Sequence, residues 1–427
     1  MILLYRVLTN ILYPFLLIAL LLRVFFKKED PKRYKEKIFI KNKERIDSLK
    51  TNLIWFHAAS IGEFKSIIPI INEINAKKTN YEFLITTNTL SSGNLASIEI
   101  KKFNNVRHRY MPYDIGHLIE KFLKIWKPKK IILVDSEIWP NLILKAHQKK
   151  IPLALINARL TKKSFVRWSV FPKTAKKIFQ KFDLCLCSNR ETKKFLETLS
   201  AKNVRFEGNI KFIKRSEDWE FNEKNTKTLT RLRFWVAASI HREEDIFCLK
   251  AHLELKKKFD DIVTIIAPRH IDRVNKIKLL CDNFKLKTQI LNKEDVILKD
   301  KEIIIINSFG NLHDYFRHAK SVFIGKSIIK KLKNDGGQNP IDAVNLNCKI
   351  YHGQYVSNFE EVYNFLNDNK VSQKISSYNE LSKYLIEDLR YPQKKEQNII
   401  NPIPALGKKI LNNTMTLIEN FLNDQNK

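Results

Sequence analysis

The chain has 427 residues, 44% of them hydrophobic, which is more than one ordinary domain needs and enough for sizeable cores. Lys and Arg number 77 against 45 Asp and Glu, a formal net charge of +32 that calls for nucleic acid, an anionic membrane surface or phosphorylated substrates as partner. Five dispersed cysteines without zinc-type spacing fit a reducing compartment and argue against a disulfide framework.

Residues 1–26 carry an apolar run between Arg6 and Arg23, interrupted by Asn10 and Pro14. It is shorter than the roughly 20 residues of a comfortable transmembrane helix. No small-x-small cleavage site follows, which disfavours a signal peptide. The reading is a single N-terminal membrane-anchor helix, a short span or an interfacial helix, with the basic stretch Lys27–Lys50 on the cytoplasmic side; a buried core helix is the alternative.

From Asn52 short β-branched runs alternate with amphipathic ones. Strands are expected at Leu53–His57, Glu82–Thr87, Val106–Pro112, Lys130–Asp135, Pro152–Asn157, Leu184–Ser188 and Val204–Gly208, with helices in most of the gaps. This is repeated βα with a mostly parallel sheet buried on both faces. Ser216–Lys227 is polar and reads as a linker. A second series follows at Phe234–Ala238, Val263–Pro268, Thr288–Leu291, Ile303–Asn307, Val322–Gly325 and Lys349–His352, and Ile400–Leu422 reads as a closing helix. The expected organisation is an anchor at 1–26, a first domain at 27–212, a linker at 213–230 and a second domain at 231–427 that includes the closing helix. Two such halves with a joint between them suggest a cleft that binds a ligand across both.

Candidate chemistry sits at the carboxyl ends of these strands. Leu53–Phe56 ends in small residues, Gly62 frees the backbone for a tight turn, and Glu63 stands at a helix start, in the crevice where open α/β sheets bind ligands. The ordinary alternative is an acidic residue complementing a helix dipole. Thr86–Thr89 and Ser91–Gly93 offer hydroxyls and N–H groups for an oxyanion or sugar, or equally an N-cap. Asp135 and Glu137 crowd two carboxylates into three residues, so a cation is expected nearby. Where the halves join, Lys211 either places a cation in the cleft against developing negative charge or is one surface lysine among many. Asn157-Ala158-Arg159 ends another strand of this half. In the second half Ala238–His241, Asn307–Asn311 and Gly325–Ser327 end strands, and Pro268 presents Arg269 to phosphate or carboxylate. The Asp335–Ala343 stretch has two glycines for close backbone approach and Pro340 for a first helical turn. A phosphate can sit at that helix start while Asp342 accepts bonds from ribose hydroxyls. It is neither a Walker loop nor a GxGxxG turn.

Taken in order, HAASIGE (57–63), MPYD (111–114), the acidic pair before IWPNL (135–142), INARLTKKS (156–164), GNIKF (208–212), APRH (267–270) and GGQNP (336–340) resemble the 3-deoxy-D-manno-octulosonic acid (Kdo) transferases of lipopolysaccharide assembly. The resemblance implies an α/β GT-B enzyme: two Rossmann-like domains facing a central cleft, with an N-terminal membrane anchor at the cytoplasmic face of the bacterial inner membrane. The implied donor is CMP-Kdo and the acceptor a phosphorylated lipid A precursor, lipid IVA, on an anionic membrane surface. Transfer would invert the anomeric centre without metal or cofactor. Carried over by motif, Glu63 is the general base, Asp135 and Lys211 stabilise the transition state, and Pro268, Arg269, Phe309, Gly310, Asn311, Asn339 and Asp342 bind CMP. Asp135 and Asp342 stand where the family usually has Glu, Gln338 where it has His, Asn311 where it has an acid and Lys326 where it has Gly. A GT-B transferase with another nucleotide sugar is the alternative. A nucleic-acid-binding module is disfavoured, because no zinc finger, RRM signature or stacking platform is present.

Overall fold

The computed structural model describes residues 1–38, 52–77, 80–213, 223–308, 312–333, 335–391 and 402–424. The chain forms two compact units, residues 1–215 with 406–427, and residues 216–405.

The first unit is built on a seven-stranded sheet: β1 (Asn52–His57), β2 (Tyr81–Thr87), β3 (Val106–Tyr110), β4 (Lys130–Val134), β5 (Leu153–Ala158), β6 (Leu184–Cys187) and β7 (Val204–Phe206). Every pairing is parallel, in the order β3-β2-β1-β4-β5-β6-β7. Parallel strands need helical crossovers that cover both faces, so the central strands are apolar throughout, whereas the edge strand β3, Val-Arg-His-Arg-Tyr, alternates. Accordingly β4 and β5 are buried along their whole length. Trp55, Phe122, Ile131, Leu133 and Phe179 anchor the core on one face. The strand order reverses between β1 and β4, which opens a crevice at their carboxyl ends.

The second unit repeats the plan with β8 (Arg233–Ile240), β9 (Ile262–Pro268), β10 (Thr288–Leu291), β11 (Ile303–Ile306), β12 (Ser321–Ile324), β13 (Lys349–His352) and β14 (Ser372–Lys374). Its all-parallel order is β10-β11-β9-β8-β12-β13-β14, so the reversal falls between β8 and β12. Trp235, Leu249, Ile266, Phe323 and Tyr351 lie in its core. All five cysteines are buried thiols, and Cys348 donates its S–H to the Phe316 carbonyl oxygen at 3.1 Å.

Two expectations are corrected. The anchor run is not one helix but two, Ile2–Ile11 and Tyr13–Phe25, bent by 54°. Pro14 lies in the first turn of the second helix, where its missing N–H is harmless; placed inside a continuous helix, it would clash with the carbonyl of Asn10. Among the described residues no single helix is long and apolar enough to cross a membrane, although this bent pair passes by length and composition. Tyr5 ties the first helix down by donating to Asp114 Oδ2 at 2.9 Å, and Arg23 holds Glu29 at 2.8 Å.

The closing helix, Ile403–Asn423, belongs with the first unit rather than the second. Lys77 pairs with Glu419 at 2.7 Å, and Lys130 donates to the Asp424 carbonyl at 2.7 Å. Gly407 lies so close to Phe212 that a Cβ there would stand 2.4 Å from its carbonyl oxygen. In the stretch expected as linker, residues 214–222 lie outside the described residues. Glu223–Leu229 is a helix of the second unit, pinned by Asn225, which accepts from Ile297 N–H at 2.9 Å and donates to the Asp295 carbonyl at 3.0 Å.

Candidate active site

At the β1/β4 switch point the first unit gathers three carboxylates and one ammonium. Glu63 lies in the first turn of the helix Ile61–Lys77 that follows β1. Its Oε2 accepts from the Ala59 N–H at 2.8 Å and its Oε1 from the Ser60 hydroxyl at 2.7 Å. The carboxylate thus closes the helix start, as the ordinary alternative held, and also lies in the crevice. Burial first, then the neighbouring Asp135, push its carboxyl above the usual range; the Ser60 bond opposes this, Glu137 adds to it and the Ala59 bond opposes it.

Asp135 ends β4 with φ of 63°, a left-handed conformation rare outside glycine and tolerated best by Asn and Asp. The expected cation is there: Lys211 Nζ meets Asp135 Oδ2 at 3.0 Å, with both side chains largely buried. Lys211 reaches it because Asn157, also left-handed at φ 50°, accepts from the Ile210 N–H at 3.0 Å and docks the GNIKF segment at the carboxyl end of β5. The INARLTKKS and GNIKF motifs are therefore one device that delivers an ammonium to a carboxylate.

Glu137 is held by a group that local pattern reading passed over. His57, fully buried at the end of β1, places Nε2 3.1 Å from Glu137 Oε2, and Trp139 donates its indole N–H to the same oxygen at 2.7 Å. His57 Nδ1 lies 2.9 Å from the Thr86 hydroxyl, which accepts from the Trp55 indole at 2.9 Å. With Nε2 protonated, the proton order runs Trp55 to Thr86 to His57 to Glu137 and ends on a carboxylate aimed by two donors; with Nδ1 protonated, that N–H turns to the Thr86 carbonyl oxygen, 3.1 Å away. The signal in the sequence was a histidine closing an otherwise apolar strand.

Two other motifs are structural. Thr89 caps the helix Leu90–Glu99 in a reciprocal pair with Ser92, while Thr86 and Thr87 are buried. Asp114 of MPYD accepts from the Asn141 and Leu142 N–H groups at 2.9 and 2.8 Å, closing the helix that begins at Pro140.

In the second unit the switch point lies between His241, after β8, and Gly325-Lys326-Ser327, after β12. Glu244, fully buried, clasps both: Oε2 accepts from His241 and Lys326 N–H at 2.8 and 2.7 Å, Oε1 from Ser327 and Ile328 N–H at 2.9 and 3.3 Å. Gly325 is required because a Cβ would fall 2.6 Å from Ile240 Cα and 2.7 Å from Glu244 Oε2. The loop carries the next segment with it. Gly337, at φ 88°, donates to the Lys326 carbonyl at 2.6 Å, and a Cβ on Gly336 would meet the Tyr355 carbonyl oxygen at 2.2 Å.

Around His241 stand Gln338 and His270, neighbours of the candidates Asn339 and Arg269. Gln338 Nε2 lies 3.3 Å from His241 Nε2, and the His270 ring stands against it at 5.7 Å. Burial, then Lys326, His270, Arg269 and Arg273, lower the imidazole from its ordinary 6.5 to about 4. The depression comes first from burial and only then from these cations, of which Lys326 is paired with Asp335 and Arg273 with Asp245. Pro268 is buried at the end of β9 and Arg269 is exposed beyond it. Asn339 accepts from the Ile341 N–H at 3.1 Å, turning the GGQNP loop into the helix Ile341–Asn345, where Asp342 is half-buried. Phe309, Gly310 and Asn311 lie outside the described residues. Among the described residues no three His, Cys, Asp or Glu are grouped to hold a metal ion.

The family model for 3-Deoxy-D-manno-octulosonic-acid transferase (kdotransferase) matches residues 32–214. The chain is 31% identical to the probable mitochondrial 3-deoxy-D-manno-octulosonic acid transferase of Arabidopsis thaliana over 322 residues, 73% of this chain and 71% of the relative. It is 29% identical to the 3-deoxy-D-manno-octulosonic acid transferase of Rickettsia bellii over 426 residues, 98% and 99% of the two chains. A crystal structure of a glycosyltransferase from Rickettsia africae shares the fold with a TM-score of 0.55 at 13% identity, covering 87% of this chain and 97% of that one. With its ordered motifs assembled at the two switch points, the chain belongs to the 3-deoxy-D-manno-octulosonic acid transferases and is an enzyme of that family.

Proposed function

We propose that the protein moves Kdo from CMP-Kdo to lipid IVA, a phosphorylated lipid A precursor, with inversion, as a GT-B glycosyltransferase. The first unit takes the acceptor and the second the donor. The observation that carries this reading is the half-buried Glu63, whose carboxyl is raised by burial and by Asp135, beside the Asp135–Lys211 pair at the β1/β4 crevice. A sugar hydroxyl is a poor nucleophile, and a carboxylate with raised pKa accepts its proton as the new C–O bond forms. As the bond to CMP breaks, negative charge grows on the phosphate, and the cations around His241 oppose it. Lys211, oriented by Asp135, stabilises charge at the reacting centre. Pro268, Arg269, Phe309, Gly310, Asn311, Asn339 and Asp342 hold CMP. The two N-terminal helices expose Leu3, Phe15 and Phe25 at 75, 65 and 79%, which suits attachment to the cytoplasmic face of an anionic inner membrane where the acceptor resides.

The test is transfer from CMP-Kdo to the lipid acceptor by wild type and by Glu63→Ala, with CMP binding followed by thermal shift. Transfer should fall by roughly 10²–10⁴-fold while CMP still stabilises the variant. Retained transfer, or CMP affinity lost in parallel, contradicts the assignment; stabilisation by UDP and not CMP contradicts the donor.

A further inference from the structure

The first unit contains an apolar cavity of about 460 Å³ that the reaction chemistry does not use. Its walls are Ile2 and Tyr5 of the first helix, Ile138 and Trp139 after β4, Trp168 of the helix Lys162–Ser169 and Ile178 of the helix Pro172–Phe179. The volume falls in the range of small-molecule sites, and the lining is aliphatic and aromatic with few polar groups, Arg167 and Ser164 among them. Tyr5 is fixed in the wall by its bond to Asp114, and Asp114 in turn caps the helix that begins at Pro140, another wall residue.

Trp139 belongs to both the cavity and the crevice. Its ring lines the one, and its indole N–H aims Glu137 in the other. A molecule seated in both would have an apolar part against Trp139 and Trp168 and a hydroxylated part at the carboxylates. Exposed apolar residues flank the cavity: Leu3 and Leu4 follow Ile2 in the first helix, and Val166 and Val170 bracket Trp168. Lys162, Lys163 and Arg167, all exposed, add positive charge on the adjoining helix.

We propose that this cavity receives an acyl chain of the acceptor lipid, holding the sugar hydroxyl at Glu63 through an anchor on the far side of Trp139. The proposal rests on the reading of the acceptor as a phosphorylated glycolipid. Apolar lining matches the chain, the neighbouring cations match the phosphate, and the shared indole fixes the distance between anchor and reacting hydroxyl. Each methylene withdrawn from water is worth roughly a factor of four in binding, so even a partly inserted chain separates acylated from deacylated acceptors clearly.

The experiment uses the full chain, CMP-Kdo and two acceptors, the phosphorylated acylated disaccharide and the same molecule deacylated. Wild type should show a KM at least ten-fold lower for the acylated acceptor. Thr174→Phe, which points a ring into the cavity from its wall, should raise that KM at least ten-fold; Ser164→Phe is the second filling variant. Stabilisation of each by CMP reports that it has folded. Acceptor carrying brominated acyl chains should quench the fluorescence of Trp139 and Trp168 saturably in wild type and weakly in both variants. The proposal is overturned if folded variants keep the wild-type KM difference. It is also overturned if vesicles of brominated phosphatidylglycerol quench equally and the acceptor does not compete, which would make the cavity a seat for bulk lipid. Failure of wild type to use either acceptor would count against the functional reading instead, while quenching by the brominated acceptor would still measure the cavity.

Discussion

Replacing Glu244 by Gln tests how the switch point of the second unit is held together. In the wild-type protein four backbone N–H groups converge on one buried carboxylate. An amide keeps one oxygen, which will stay with the shorter pair from His241 and Lys326, and turns its NH₂ toward the Ser327 and Ile328 donors. One good bond and one long one are lost, and two buried donors are left facing a third. Bonds to a charged acceptor are worth roughly 1.5–3 kcal/mol each, and an unpartnered buried donor costs roughly 1–3 kcal/mol. Against this, the variant no longer buries a charge: burial raises the Glu244 carboxyl above its ordinary range despite its four donors. The net loss is about 2–4 kcal/mol. The sign of its pH dependence is fixed. A carboxyl with raised folded-state pKa contributes stability that is full below the unfolded value and is lost as pH rises through the folded one, whereas Gln contributes none. The gap between wild type and variant therefore widens as pH falls from neutrality toward the ordinary carboxylate range. Because the Lys326 carbonyl holds Gly337, the displaced loop also carries the GGQNP segment, and the KM for donor rises about ten-fold, equivalent to 1.4 kcal/mol of affinity. Urea unfolding at pH 5 and 7 with donor kinetics measures both. Stability within about 0.5 kcal/mol of wild type, the scatter of neutral surface changes, together with an unchanged KM, would refute the reasoning.

Three further outcomes are expected. The acid limb of kcat/KM follows Glu63 and lies above the ordinary glutamate range; Glu137→Gln removes one of the charges that raise it and moves the limb to lower pH, whereas a fixed limb denies Glu63 the role of base. His57→Leu leaves Glu137 with Trp139 alone, lowering kcat by roughly ten-fold and stability by about 1–3 kcal/mol, and its effect on kcat is not additive with that of Glu137→Gln. Additive effects would place His57 outside the chain that orients the carboxylate. CMP binding offsets the cations around His241 and raises its imidazole from about 4, so protons are taken up on binding near pH 5; histidine NMR titration with and without CMP checks this, and an unmoved resonance puts the phosphate elsewhere.

The parallel sheets were legible because buried parallel strands carry unbroken β-branched runs. Ile303–Ile306 and Lys130–Val134 could hardly be read otherwise. The strand Ser372–Lys374 was missed because its three residues include no apolar one, and it forms only because β13 offers a free edge. The candidate carboxylates were visible as acids at strand ends, and electrostatics called for a cation near Asp135 without saying that it would be Lys211. Local pattern did not show what aims them. His57 reads as one more buried strand residue until Glu137, 80 positions away, closes on it. Glu244 looks like a helix-start acid, since the pattern does not say that the loop after β12 will bring three N–H groups to the same carboxylate. The attachment of the closing helix was illegible for a similar reason: order along the chain placed it with the second half, whereas its partners are Phe212, Lys77 and Lys130.

Because the chain returns after residue 405 to finish the first unit, the second unit is a cassette spliced between two points, 215/216 and 405/406. Trimming residues 406–424 would therefore strip support from Lys77, Lys130 and Phe212 in the half that carries Glu63, while sparing the fold of the half that carries Arg269. Exchange of residues 216–405 for the matching segment of a relative is the recombination this topology permits, and on the proposed division of roles it would carry donor preference with it.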